Sequence, residues 1–216
     1  MRVKICGITR MSDAEAVAGE RIDAVGFVLW PGSPRCVTVE QAAALASALP
    51  ERLDRVGVFV NESPEVLRAA MREARLTAAQ LHGDESPEYC RGLDVTWYKA
   101  FRVDEKTEAA SLEQQIARYA APVFMLDTGA GRAPGGTGRT FDWKLAARIS
   151  MRTAGIDDHE RRRMILAGGL DPSNVALAIK LVRPWEVDVS TGVESSPGVK
   201  DRDLVRRFVQ AVRSVA

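Results

Sequence analysis

Eight short runs of apolar and β-branched residues recur along the chain, and a stretch of helical period follows each of them. The runs are Val3–Cys6, Ala24–Leu29, Val56–Val60, Ala78–His82, Trp97–Phe101, Val123–Asp127, Met164–Ala167 and Val187–Ser190. Strands that are apolar on both faces and separated by helices are parallel strands covered on both sides. Eight such units predict an α/β fold of the closed (β/α)8 or TIM-barrel type, with an open doubly wound sheet as the alternative. A length of 216 residues fits one such barrel, so residues 1–216 are expected to form a single domain.

The segments between the runs carry helix punctuation. Ser12-Asp13-Ala14-Glu15 reads as a helix start with acid in the first turn, and Thr38-Val39-Glu40-Gln41 has the spacing of a capping box. Ser63-Pro64-Glu65, Ser86-Pro87-Glu88 and Asp171-Pro172 each place proline where a first helical residue is expected. The fourth helix, near Pro87–Arg91, is short. The last is expected from Asp203 to Val215, with Leu204, Val205, Phe208, Val209 and Val212 as its apolar stripe.

Composition narrows the function. A chain that is 46% hydrophobic and 27% charged is neither disordered nor a coiled coil. Thirty basic residues against twenty-nine acidic ones leave a net charge of +1, which does not point to nucleic acid or anionic lipid held by bulk charge. No apolar run approaches the roughly 18 residues of a membrane span, and the N-terminus lacks the apolar stretch of a signal peptide, so a cytoplasmic protein is expected. Cys6, Cys36 and Cys90 are an odd number with no close pair, and the only histidines are His82 and His159. Neither a disulfide framework nor a metal site is expected. The charged stretch Ile156–Arg163 reads as the solvated end of the sixth helical region.

In a barrel of parallel strands the chemistry sits at the C-terminal strand ends. The polar residues there are Cys6, Asn61, His82, Arg102, Asp127, Gly168-Gly169 and Ser190-Thr191-Gly192. Strand parity puts Val123, Met125 and Asp127 on one face, as it does Lys4 with Cys6, Gln80 with His82, and Asp188 with Ser190. If those faces point inward, the last member of each reaches the mouth, and Lys4 and Asp188 can pair structurally inside the barrel.

These residues fall in blocks that resemble the phosphoribosylanthranilate isomerases of tryptophan biosynthesis. The blocks are Lys4-Ile5-Cys6-Gly7-Ile8-Thr9, Val25-Gly26-Phe27-Val28 with Ser33-Pro34-Arg35, and Val56-Gly57-Val58-Phe59-Val60-Asn61. They continue with Gln80-Leu81-His82-Gly83-Asp84-Glu85, Leu126-Asp127-Thr128, Gly135-Gly136-Thr137-Gly138, Thr140-Phe141-Asp142-Trp143 and Leu166-Ala167-Gly168-Gly169-Leu170. Asp188-Val189-Ser190-Thr191-Gly192-Val193-Glu194 with Pro197-Gly198-Val199-Lys200-Asp201 completes the set. They run in order along essentially the whole chain.

The resemblance implies a cofactor-free Amadori rearrangement of a small phosphosugar by a monomer or homodimer. It implies Cys6 as general base and Asp127 as general acid. An acid opens the sugar ring, the substrate's own nitrogen forms an iminium, and a base removes the proton on carbon 2, so no metal or pyridoxal is needed. A thiol of ordinary pKa, about 8.5, is mostly protonated near neutrality, so a thiolate base requires a local perturbation. On spacing alone Cys6 is also a small core hydrophobe, and Asp127 a turn former before Thr128-Gly129. Cys36 and Cys90 read as ordinary packed cysteines.

The resemblance further brings Arg35 to the anthranilate carboxylate, which suits a planar fork. His82 reads as a substrate contact or as a loop cap. Gly168-Gly169 and Ser190-Thr191-Gly192 follow the last two strands, where many barrels hold phosphate through backbone N–H groups. Gly129–Thr140 is not a P-loop, because Ala133 and Arg139 stand where glycine and lysine are needed; it reads as a mobile loop over the mouth. Two other functions stay open: the aminoaldose isomerase of histidine biosynthesis, against which Cys6 argues because that enzyme uses aspartate as its first-strand base, and a non-catalytic phosphosugar-binding barrel.

Overall fold

The computed structural model describes residues 1–128, 142–153 and 162–215. The glycine-rich stretch Gly129–Thr140, and the charged stretch from Ile156 through 161 with His159, lie outside the described residues. Eight parallel strands close in the order β1 to β8: Arg2–Cys6, Ala24–Val28, Asp54–Phe59, Ala78–Leu81, Trp97–Val103, Val123–Thr128, Arg163–Leu166 and Glu186–Val189. Closure is the pairing of β8 with β1. An open sheet is thereby excluded.

A helix follows each strand: α1 (Met11–Ala18), α2 (Val39–Ser47), α3 (Pro64–Glu73), α4 (Pro87–Arg91), α5 (Ala109–Ala117), α6 (Trp143–Thr153), α7 (Val175–Val182) and α8 (Arg202–Arg213). The capping box of α2 forms as the sequence predicts, with Thr38 accepting from Gln41 N and Gln41 Oε1 accepting from Thr38 N. Ser63 and Ser86 cap α3 and α4, each with proline in the first turn. The expectation for Asp171-Pro172 needs correction. Asp171 Oδ1 accepts from the backbone N–H groups of Ser173 and Asn174, at 2.6 and 3.1 Å, and this turn delays the helix to Val175. The structure also holds a hairpin absent from the eightfold reading, β9 (Glu194–Ser196) and β10 (Val199–Lys200), which turns at Pro197-Gly198 with Gly198 at φ +79°.

Inside the ring, Ala24, Val56, Tyr98, Ala100, Met125, Ile165 and Ala167 pack together, while the larger apolar cluster fills the layer between strands and helices. The interior column of β1 is polar: Arg2, Lys4 and Cys6 share one face. Register sets Arg2 opposite Glu186 and Lys4 opposite Asp188 on β8. Both rungs close as ion pairs, at 2.9 and 3.1 Å. Lys4, Asp188 and Glu186 are buried, and such charges are tolerable only because each is paired. The ladder carries the column up to the thiol at the mouth.

Candidate active site

Cys6 ends β1 and Asp127 stands one residue before the end of β6, three strands away around the ring through β8 and β7. Both side chains are buried. The thiol sits over Gly26 of β2, where even a methyl group would stand 2.6 Å from its Sγ and 3.1 Å from Lys4 Nζ. Glycine is needed there for space.

Electrostatics divide the two groups. Burial, then Asp188, push the Asp127 carboxyl up to about 6, against the Thr128 N–H, Lys4 and Arg102. Asp127 therefore holds a transferable proton near neutrality. Burial also pushes the Cys6 thiol up; Lys4 and Lys200 pull it down, and Asp188 adds to the rise. The perturbation that a thiolate base requires is thus opposed by the thiol's own burial. Lys4 would be lowered by burial, but Asp188, Cys6 and Tyr98 outweigh this and keep it a firm cation.

His82, just past β4, brings Nε2 to 3.4 Å from Asp127 Oδ2. Burial and the cations Lys99, Arg102 and Lys4 lower its pKa to about 3, so the imidazole is neutral. Arg35 lies in the loop after β2, its stem crossing Gly7. Its Nε and Nη2 hold Glu194 at 2.8 and 2.6 Å, and Nη2 also reaches Thr191 Oγ1 at 3.4 Å. Lys200 Nζ approaches the same carboxylate at 2.7 Å. Burial would raise the pKa of Glu194, but Arg35 and Lys200 outweigh it and hold the group ionised.

Gly168, Gly169, Ser190, Thr191 and Gly192 line one cleft with Asp127 and Asp188. Gly168 and Gly169 both have positive φ, and a Cβ on Gly168 would lie 2.0 Å from Thr128 Oγ1. A Cβ on Gly192 would lie 2.0 Å from the Leu170 carbonyl oxygen, so the loops after β7 and β8 touch through it.

All nine residues singled out from the sequence thus gather at one end of the barrel. Asn61 and Arg102, also at strand ends, serve the β4 loop: Asn61 N donates to Glu85 and its Oδ1 accepts from Asp84 N, while Arg102 donates to the His82 carbonyl. Glu194 and Lys200 end no barrel strand, so strand ends alone do not reveal them, although both lie in the blocks that carry the resemblance and flank the Pro197-Gly198 turn. Parity gives Gln80 a face but no role. Its role depends on His82 two residues on, and on Lys4 and Tyr98, which come from two other stretches of chain. Among the described residues no group of His, Cys, Asp or Glu is arranged to hold a metal ion.

A family model described as N-(5'phosphoribosyl)anthranilate (PRA) isomerase matches residues 3–211. An N-(5'-phosphoribosyl)anthranilate isomerase of Trichlorobacter lovleyi is 44% identical over 210 residues, covering 97% of each chain. The crystal structure of phosphoribosyl anthranilate isomerase from Thermotoga maritima superposes with a TM-score of 0.87 at 39% identity, over 99% of both chains. A second such structure, in complex with reduced 1-(o-carboxyphenylamino)-1-deoxyribulose 5-phosphate, gives 0.84 at 37% identity, again over 99% of both chains. With a family model spanning nearly its whole length and relatives this similar end to end, the chain belongs to the N-(5'-phosphoribosyl)anthranilate isomerase family.

Proposed function

We propose that this chain converts N-(5'-phosphoribosyl)anthranilate to 1-(2-carboxyphenylamino)-1-deoxyribulose 5-phosphate in tryptophan biosynthesis. It acts without a cofactor, in one barrel domain spanning residues 1–216. The observation that carries this reading is Asp127, a buried carboxyl raised to about 6, at the same mouth as the Cys6 thiol. Asp127 protonates the ring oxygen of the sugar, the C1–O bond breaks, and the anthranilate nitrogen supplies the electrons that form an iminium. Cys6 then removes the proton on carbon 2, which the adjacent iminium acidifies, and the resulting enolamine tautomerises to the ketone.

The productive arrangement is a protonated Asp127 facing a Cys6 thiolate. Lys4 and Lys200 favour that thiolate against burial, and the cationic iminium formed beside it favours it further. The phosphate is held in the cleft of Gly168, Gly169, Ser190, Thr191 and Gly192. Arg35 reads the anthranilate carboxylate through Nη1, since Glu194 and Thr191 take its other edge. His82 completes the wall beside Asp127.

The related complex with the reduced ribulose phosphate supports a phosphosugar as the small-molecule ligand. No described helix is long and apolar enough to cross a membrane. The enzyme is proposed to work in the cytoplasm as a monomer or homodimer, with no nucleic-acid partner. The test is fluorescence-monitored consumption of the anthranilate adduct by the purified protein. Turnover supports the reading; no turnover, or preference for the histidine-pathway aminoaldose, overturns it.

A further inference from the structure

Gln80 is buried in the middle of the barrel, and its amide has one orientation that satisfies its neighbours. Lys4 Nζ and the Tyr98 hydroxyl both lie 3.0 Å from Oε1. An ammonium group only donates, and the Tyr98 hydroxyl keeps its proton because burial pushes its ionisation well above the ordinary range. The atom facing two donors must be the oxygen. Nε2 therefore points the other way, 3.1 Å from His82 Nδ1 and 3.3 Å from Met125 Sδ. An amide N–H facing Nδ1 requires a lone pair there, so the single proton of the neutral ring is on Nε2. That nitrogen is buried, has no hydrogen-bond partner among the described residues, and stands 3.4 Å from Asp127 Oδ2. The other carboxyl oxygen, Oδ1, already accepts from Thr128 N at 2.7 Å.

We propose that Gln80 fixes His82 as its Nε2–H tautomer, and that this N–H holds the Asp127 carboxylate formed when the acid gives up its proton. Gln80 and His82 are then positioning residues for the acid step, an inference that rests on Asp127 being the acid. The charged groups facing the ring are Lys99 and Arg102 of β5, Lys4 of β1 and Asp127 of β6. Three cations and burial keep the imidazole neutral at working pH. Neutrality matters: an imidazolium would hold Asp127 ionised and empty the acid, whereas a neutral N–H supports the carboxylate without taking part in the proton transfer. The Lys4–Gln80–His82–Asp127 chain thus links the ammonium beneath the thiol to the acid on the far side of the barrel.

The chain has only two histidines, so nitrogen-15 NMR of histidine-labelled protein isolates His82 once His159→Gln removes the other signal. The expected spectrum is an unprotonated Nδ1 and a protonated Nε2 that do not titrate between about pH 5 and 8. A protonated Nδ1, or titration near 6.5, overturns the proposal. Gln80→Glu replaces the N–H facing Nδ1 with an acceptor, so it should draw a proton onto Nδ1. It should also lower kcat about tenfold or more, with KM within about threefold. His82→Leu should raise the carboxyl midpoint of Asp127, read by carbon-13 NMR, by about one pH unit. His82→Gln, whose amide nitrogen reaches toward the position of Nε2, should recover part of kcat.

A rise in KM at unchanged kcat in His82→Leu would make His82 a substrate contact and overturn the proposal. If Gln80→Glu fails to fold, the wild-type tautomer and the two His82 variants decide. If the wild-type protein does not turn over the anthranilate adduct, the proposed function falls. The tautomer and the Asp127 midpoint still decide whether the pair is coupled.

Discussion

Arg35 grips Glu194 through two nitrogens, at 2.8 and 2.6 Å, with both side chains largely buried and Lys200 on the same carboxylate. An arginine proposed to read a substrate carboxylate is thereby held in place by one of the protein's own. Removing one partner of a buried pair leaves the other charge uncompensated. Glu194→Gln should therefore lower stability by about 3 kcal/mol and raise KM, measured by thermal unfolding and steady-state kinetics. Arg35→Ala should cost roughly ten- to a hundredfold in kcat/KM, and Arg35→Lys should recover little, because an ammonium cannot reproduce the fork. Wild-type kinetics in Arg35→Ala would mean that the carboxylate is read elsewhere.

Loss of the base should be seen in turnover rather than binding. Cys6→Ala is expected to reduce kcat by roughly 10²–10⁴-fold or more with KM nearly unchanged, while Cys36→Ala and Cys90→Ala leave kcat intact. Of the three thiols, Cys36 is the most exposed and Cys90 is sealed. An alkylating reagent should label Cys36 without loss of activity. Inactivation should follow labelling of Cys6, and a product analogue should slow it. Inactivation that tracks Cys36 instead would put the base on the wrong strand.

The loops after β7 and β8, proposed to hold the phosphate, meet at Gly192, where a Cβ would collide with backbone, the Leu170 carbonyl at 2.0 Å. Backbone cannot swing aside as a long side chain can. Gly192→Val should separate the loops and raise KM by about tenfold or more, with a smaller fall in kcat. The variant should also be measurably less stable in a thermal scan. A folded variant with an unchanged KM would remove these loops from phosphate binding.

The pH profile follows from two midpoints. The productive form has a proton on Asp127 and none on Cys6. Between the Asp127 midpoint of about 6 and the raised thiol, the pair holds one proton, and the productive arrangement is a constant fraction of the enzyme. Below about 6 a second proton binds, Cys6 can no longer be the unprotonated partner, and kcat/KM falls roughly tenfold per unit. Above the thiol midpoint Asp127 has no proton to give, and kcat/KM falls again. A kcat/KM that stays flat from pH 8 down to pH 5 would remove Asp127 from the rate.

Asp127 also makes the fold sensitive to pH, with a sign opposite to that of a salt-bridged carboxylate. Its folded midpoint lies above the unfolded value of 3.8, so the folded state binds more protons between them. The stability penalty is absent below 3.8, grows between 3.8 and about 6, and is complete above that. A rise of about two units corresponds to about 3 kcal/mol at most. Asp127→Asn, which cannot ionise, should therefore raise Tm at pH 8 more than at pH 5 while abolishing turnover. Equal Tm changes at both pH values would show that Asp127 ionises no less readily in the fold than in the unfolded chain.

Local chemistry was legible without coordinates wherever one stretch of chain decides the outcome. The strands, the capping box at Thr38 and the proline starts of α3 and α4 depend on residues within a turn or two of one another. Parity along a strand likewise put Cys6, His82 and Asp127 at inward-facing strand ends. Asp171-Pro172 misplaces the helix start because the turn that Asp171 caps becomes α-helix only at Val175. Only the closed barrel decided what depends on distance between elements. It set the sign of the Cys6 shift, through burial that outweighs Lys4 and Lys200, the engagement of Arg35 by a carboxylate 159 residues away, and the state of His82. That last is fixed by a glutamine whose own orientation is set from β1 and β5. Protonation states and partner choice are sums over neighbours in space, and β1, β4, β5, β6 and β8 become neighbours only when the ring closes.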